Sequence, residues 1–326
     1  MSCHTFLGNL DAERVTEPKL TKKFKDYRIK IAIIDNGADK IRSSLKENIA
    51  KGVSFVKADP ENGDRILPWW MVADPHGTQM ASLVKMMNPY CQLYIARVGK
   101  GRKDILPEDA AEVRAMNLGY LACHPYSLCA QAVKWAVEQR VDIISISWIT
   151  KKNDDLLRTE IEKAAKGNEA LKINPILVFC STSDEGVYAG DVYPACYDDT
   201  IEVAATDKYG HIRPASQAGV DILVPGEDVA ADGPSYMAQF SKGTVSGSSV
   251  ATALASGVAS LALLLLRIFN EGKTTPNDYL TKKKMMEVFD AMNGSHNGIQ
   301  LDKMFPTDLA KLAKIWKGPN FAEAKA

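Results

Sequence analysis

Apolar runs of strand length recur along this chain, and nearly every one gives way to a segment with helical spacing. The first, in "RIKIAIIDNG", sets Ile29 to Ile34 as a mostly apolar strand that ends in Asp35, Asn36 and Gly37. Others follow in "KGVSFV", "QLYIARV", "VDIISIS", "PILVFCS", "TIEVAAT" and "VDILVPG". Several are apolar almost throughout, which is the pattern of strands buried on both faces of a parallel sheet. Helical spacing is read over His76 to Met87, Pro107 to Leu118, Ser127 to Gln139 and Leu156 to Lys166. This alternation predicts a doubly wound α/β fold, with a mostly parallel central sheet flanked by helices.

Residues 1–28 are polar and without a clear period, and are read as an N-terminal arm. Residues 29–326 are expected to form one domain, with surface helices from about residue 275 in "TPNDYLTKKKMMEVFDAM" and "FPTDLAKLAKIW". A chain that is 46% hydrophobic and 25% charged has the composition of a globular protein rather than a disordered one. Its 40 basic and 40 acidic side chains cancel, so no global field draws it to nucleic acid or to an anionic membrane. Residues 1–15 carry no basic segment followed by an apolar run of signal length. The apolar stretch at Leu261 to Leu266 is interrupted by Arg267 and is read as too short to cross a bilayer. No nucleic acid and no membrane is therefore expected as a partner, and the expected location is cytoplasmic.

Chemistry is suggested by "GTVSGSSVATALASGVASLALLLL", where small polar residues run straight into a buried helix. Gly247 allows a close backbone approach, Ser248 can cap, and Ser249 falls in the first turn of a helix reaching about Phe269. Unpaired amides at that end offer a positive pole to an oxyanion. By itself such a serine reads as a cap. "DPHGTQMASLV" puts His76 at another helix start, and Asp35, at the carboxyl end of a buried strand, is suited to orient an imidazole. Along the chain the order is Asp, His, Ser, one of the known arrangements of a nucleophilic triad.

Three blocks make the likeness specific. "IAIIDNG", "HGTQMA" and "SGSSVATALASGVA" resemble the segments around the aspartate, histidine and serine of the subtilisin-like serine proteases, and the resemblance extends over about residues 28 to 268. "AVKWAVEQRVDIISIS", "VYPACYDDTIEVAATD" and "ASQAGVDILVPG" resemble further core segments of that family. The resemblance implies a subtilisin-like catalytic domain with Ser249 as nucleophile, His76 as general base and acid, and Asp35 as the carboxylate that fixes the imidazole. It implies an oxyanion hole formed by the Ser249 amide and the side chain at Asp184. It also implies that an extended peptide lies between Val98, Gly99, Lys100 and Gly101 on one edge and Ser147, Trp148 and Ile149 on the other. The last three, with Ser181, Thr182, Ser183, Glu185 and Gly186, would line the primary specificity pocket.

The departures from the family pattern bear on activity. Most members have asparagine where this chain has Asp184, and a carboxylate donates a hydrogen bond only when protonated. Loss of one oxyanion donor costs about 3 to 4 kcal/mol of barrier, which slows a protease without silencing it. Some proprotein-processing members carry aspartate there as well. Weak or acid-favoured turnover is the expectation. Pro75 precedes the histidine, Val250 replaces the usual methionine, and Ala253 replaces a proline. Trp148 and Ile149 stand where small residues are usual and are expected to narrow the pocket, while Glu185 is open to two readings, a basic preference or a solvent-facing charge.

The expected activity is a serine endopeptidase acting through an acyl-enzyme on Ser249. Two other readings stay open: a catalytically silent module that binds a peptide or a regulatory partner, and an enzyme that passes the acyl group to an amine. No cofactor is required for the chemistry. Asp39 and Asp74 read as polar loop residues, and the sequence shows no cluster of oxygen ligands that would argue for structural calcium. Cys3, Cys91, Cys123, Cys129, Cys180 and Cys196 form no CxxC pair and are read as reduced thiols, with His124 beside Cys123 and Cys129 a weak zinc candidate.

Overall fold

The computed structural model describes residues 25–58, 65–101, 127–186, 190–213, 219–269 and 280–292. The helix expected over Pro107 to Leu118, the N-terminal arm up to residue 24, the stretch 305–316 and the Cys123–His124 pair lie outside the described residues.

Seven strands form one sheet: β1 (Lys30–Asp35), β2 (Ile49–Ser54), β3 (Gln92–Arg97), β4 (Ile143–Ile146), β5 (Leu177–Ser181), β6 (Thr200–Thr206) and β7 (Ile222–Pro225). Their spatial order is β2-β3-β1-β4-β5-β6-β7, and every pairing is parallel. From β1 the chain crosses to β2 at one edge, returns to β3 between the two, then passes β1 to β4 and winds outward through β5 and β6 to β7. β1 is therefore the switch point, where such sheets open a crevice beyond the carboxyl ends of their strands. Asp35 is the last residue of β1, paired in register with Arg97 of β3.

The two faces are covered by different helices. Ile31 and Ile33 of β1 meet α1 (His76–Met87), α4 (Ser248–Phe269) and α5 (Lys282–Met292) in one core. Ala32 and Ile34 point to the opposite core, with α2 (Leu128–Glu138) and α3 (Asp155–Lys166). Burial on both faces explains the unbroken apolar runs, since each fully buried aliphatic side chain contributes about 1.5 to 3 kcal/mol. Ser127 caps α2 through the Ala130 N–H, and Asp154 caps α3 through Leu156 and Leu157.

Two features differ from the sequence reading. α4 is long and apolar enough to cross a membrane, because its run begins at Ser248 and not at Leu261, yet 94% of its apolar window is buried inside the fold. It is the core helix that carries Ser249. α5, expected on the surface, buries Met285 and Phe289, and the Phe289 ring meets Phe179 of β5 edge-on at 6.1 Å between centroids. A short antiparallel pair, β8 (Val229–Ala231) with β9 (Gly243–Val245), delivers the chain to the start of α4.

Candidate active site

The strand end of β1 and the first turn of α1 interlock. His76 Nδ1 lies 3.0 Å from Asp35 Oδ1 and 2.9 Å from Oδ2, with both side chains buried. An ionised carboxylate only accepts, so Nδ1 carries the proton and Nε2 presents a bare lone pair. That Nε2 is buried and has no hydrogen-bond partner. A second contact fixes the two segments, as the Gly77 N–H donates to Asn36 Oδ1 at 2.9 Å and Asn36 Nδ2 donates to Asp74 O at 3.1 Å. Asp74 Oδ1 accepts the His76 N–H at 2.9 Å and so serves the open end of α1. A Cβ on Gly77 would stand 2.1 Å from Gly37 O and 3.1 Å from Asp35 Oδ1, so only glycine allows this approach.

Ser249 is half-buried in the first turn of α4. Gly247, at φ +138°, turns the chain into the helix and donates its N–H to Gly226 O at 2.8 Å. Ser147, buried after β4, donates its hydroxyl to Ser249 O at 3.3 Å. No hydrogen bond joins Ser249 to His76 here, since Nε2 is unpartnered.

Asp184 follows β5 and is exposed, but its carboxylate is turned to α4. Ser248 N–H donates to both oxygens at 3.0 Å, and Ser248 Oγ donates to Oδ1 at 2.8 Å. Oδ2 lies 2.7 Å from the position of a Cβ on Gly247, and Ser249 Oγ lies 3.6 Å from that same position. Carboxylate and serine hydroxyl thus flank one small volume over Gly247.

The residues assigned to the cleft walls are distributed as follows. Val98 and Gly99 are buried, and Lys100 and Gly101 half-buried, in irregular chain after β3. Ser181, Thr182 and Ser183 are buried, Glu185 is exposed, and Gly186 is half-buried. Glu185 pairs with Lys151 at 2.6 Å, so its charge is already matched by a neighbour, weakly as befits an exposed pair. Trp148 is buried in the core on the α2–α3 face, its indole N–H donating to Ile34 O at 2.9 Å. The indole expected to narrow the cleft lies inside the protein, and Ile149 is half-buried.

Two positioning residues were not singled out from the sequence. Asn36 is one. The other is Arg97, whose buried guanidinium donates to Pro68 O at 2.7 Å, Met71 O at 2.9 Å and Gly99 O at 3.1 Å. Burial pushes its pKa down from the usual arginine value. It anchors the loop leading to His76 and the Val98–Gly101 segment on one cation; an arginine closing the apolar run "LYIA" was the signal. Asp39, read as a loop residue, is buried and accepts from Ser235 N at 2.8 Å and Ser235 Oγ at 2.6 Å. Among the described residues no cluster of three His, Cys, Asp or Glu side chains could hold a metal ion.

A sequence profile of the Subtilase family matches residues 26–286. The chain belongs to the subtilase family. It is similar to the major intracellular serine protease of Bacillus subtilis (strain 168), at 26% identity over 298 residues, covering 89% of this chain and 80% of that protein. It is similar also to the intracellular serine protease of Paenibacillus polymyxa, at 27% identity over 315 residues, 93% of this chain and 87% of the other. Among solved structures, an S218A mutant of the protease domain of PatA shares the fold with a TM-score of 0.60 at 18% identity, covering 85% of this chain and 94% of that one. Membership supports a serine-protease-like function in general and action on an extended peptide or protein substrate.

Proposed function

We propose that this subtilase is a serine endopeptidase whose nucleophile is Ser249. The observation that carries the reading is the buried, unpartnered Nε2 of a histidine whose other nitrogen is held by Asp35. In the reaction, Ser249 Oγ bonds to the scissile carbonyl carbon as its proton passes to His76 Nε2. Asp35 holds the tautomer and stabilises the imidazolium. The C–N bond then breaks, His76 returns the proton to the leaving amine, and water repeats the sequence on the acyl-enzyme. Hydrogen bonds of this kind are commonly long without substrate and tighten in the complex, which fits the unpartnered Nε2 of His76.

Asp184 makes the activity acid-favoured in this reading. Protonated, it can donate to the oxyanion beside the Ser249 amide; ionised, it opposes the developing charge. The names of the two curated relatives support an intracellular setting, read here as cytoplasmic.

The test is the intact mass after fluorophosphonate treatment, from acid to alkaline pH. One adduct, lost in Ser249→Ala and strongly slowed in His76→Ala, is expected. No adduct at any pH on folded protein would replace this reading with a silent binding module. Product masses lacking the added water would replace hydrolysis with acyl transfer.

A further inference from the structure

The segments that follow β4 and β5 leave adjacent parallel strands, whose last pairing is Ile146 with Cys180. Both are attached to the start of α4: the Ser147 hydroxyl donates to Ser249 O at 3.3 Å, and Asp184 accepts the Ser248 N–H at 3.0 Å. Beyond these attachments the two segments are joined again, by Lys151 Nζ and Glu185 Oε2 at 2.6 Å. The backbone on each side of that pair is fixed. Thr150 is buried and exchanges both backbone hydrogen bonds with Tyr193 at 2.8 Å, and the Glu185 N–H donates to the buried Ser183 hydroxyl at 3.1 Å. The paired side chains themselves are 64% and 59% exposed. An ion pair so wetted is weak, and a third charge can open it. Their chain neighbours Asp184 and Lys152 also carry opposite charges, and the Asp184 carboxylate is turned to Ser248.

We propose that Lys151 is a specificity-determining residue: its pair with Glu185 bridges the two walls of the expected primary pocket and neutralises their rim, so that the protease selects an uncharged residue on the acyl side of the scissile bond. This rests on the endopeptidase reading above. The acyl-side residue carries the carbonyl that Ser249 attacks, so its side chain enters beside the start of α4, where both segments are attached. A basic side chain arriving there finds Glu185 already engaged and meets the charge of Lys151. An acidic one finds the reverse. In either case one ion pair is exchanged for another and a charge is left unmatched, whereas an uncharged side chain leaves the pair intact.

The experiment is brief digestion of a mixture of unfolded proteins of known sequence, with the cleaved bonds read by mass spectrometry. Rates after lysine and after glutamate are each taken relative to glutamine, which is uncharged and of similar size. In the wild type both ratios are expected to lie below one. Lys151→Ala should raise the lysine ratio about twofold to fivefold, the range open to an exposed pair, and Glu185→Gln should raise the glutamate ratio by as much. The double variant should return both ratios to the wild-type values, and each single-variant shift should shrink at high salt. Both side chains are exposed, so these substitutions leave the fold in place. A wild type that favours lysine or glutamate over glutamine would overturn the proposal. So would a lysine ratio unmoved in Lys151→Ala, or raised equally in the double variant, while cleavage still depends on Ser249. Absence of any Ser249-dependent cleavage would instead overturn the endopeptidase reading, and the proposal with it.

Discussion

In the proposed reaction, replacing Asp184 by asparagine should raise the rate at neutral and alkaline pH. The structure says how the new side chain would sit. Its carbonyl oxygen can take the place of Oδ1 and accept from Ser248 Oγ, now at 2.8 Å, and from Ser248 N, now at 3.0 Å. Its NH2 group then falls where Oδ2 is, over Gly247 and facing the side on which Ser249 Oγ lies. A donor in that position operates in every protonation state. Since one oxyanion donor is worth about 3 to 4 kcal/mol, the gain where Asp184 is ionised should be about 100-fold or more. The sign follows from hydrogen-bond chemistry: an ionised carboxylate only accepts, whereas the amide donates as well. Loss of the charge at the helix end should cost only about 0.5 kcal/mol of stability, since the site is exposed and the dipole effect is small there. The assay is the fluorophosphonate labelling rate across pH, with thermal unfolding measured in parallel. A wild-type rate that climbs to an alkaline plateau, unchanged in Asp184→Asn, would refute the role given to this carboxylate.

Gly77→Ala should abolish labelling and destabilise the protein. A methyl 2.1 Å from Gly37 O must push α1 away from β1, at about 1 to 3 kcal/mol, more than the helix gains from replacing glycine. Thermal unfolding and the labelling rate check both parts; a folded, fully reactive variant would mean that the His76 turn moves freely. Cys91, Cys129 and Cys180 are free and buried, and burial raises each thiol, that of Cys91 to about 12. These three should resist maleimide in the native state and react on unfolding; peptide mapping that finds any of them modified in folded protein contradicts their burial.

Much of the scaffold was legible because it is written locally. α1 over His76–Met87 and β6 over Thr200–Thr206 appear within the limits read from spacing and apolar runs, and the other strands differ by a residue or two at their ends. β8 and β9 were not legible, since three-residue segments become strands only through the partner they find. Trp148 shows a different limit. Its place in the chain marked it for the cleft, but the acceptor that draws its indole inward is Ile34 O, on another strand. Arg97 and Asn36 likewise bind groups that the fold, rather than the neighbouring sequence, brings within reach.

The candidate site is built in two halves with separate fastenings. Asp35 and His76 are joined by the Asn36–Gly77 contact and the Asp74 cap, all within the two motifs that announced them. Ser249 is held by Ser147 and, through Gly247 and Ser248, by Gly226 and Asp184, groups that come from three distant parts of the chain. The first half could be read as chemistry from its motifs alone. In the second half the identity of Asp184 was visible, but the direction of its carboxylate depends on Ser248, 64 residues away. The side chain at 184 therefore does two things: it faces Ser249 Oγ across Gly247, and it caps the helix that carries Ser249. That attachment is why Asp184→Asn, whose carbonyl can keep both Ser248 bonds, is expected to leave the start of α4 in place while it adds a donor over Gly247.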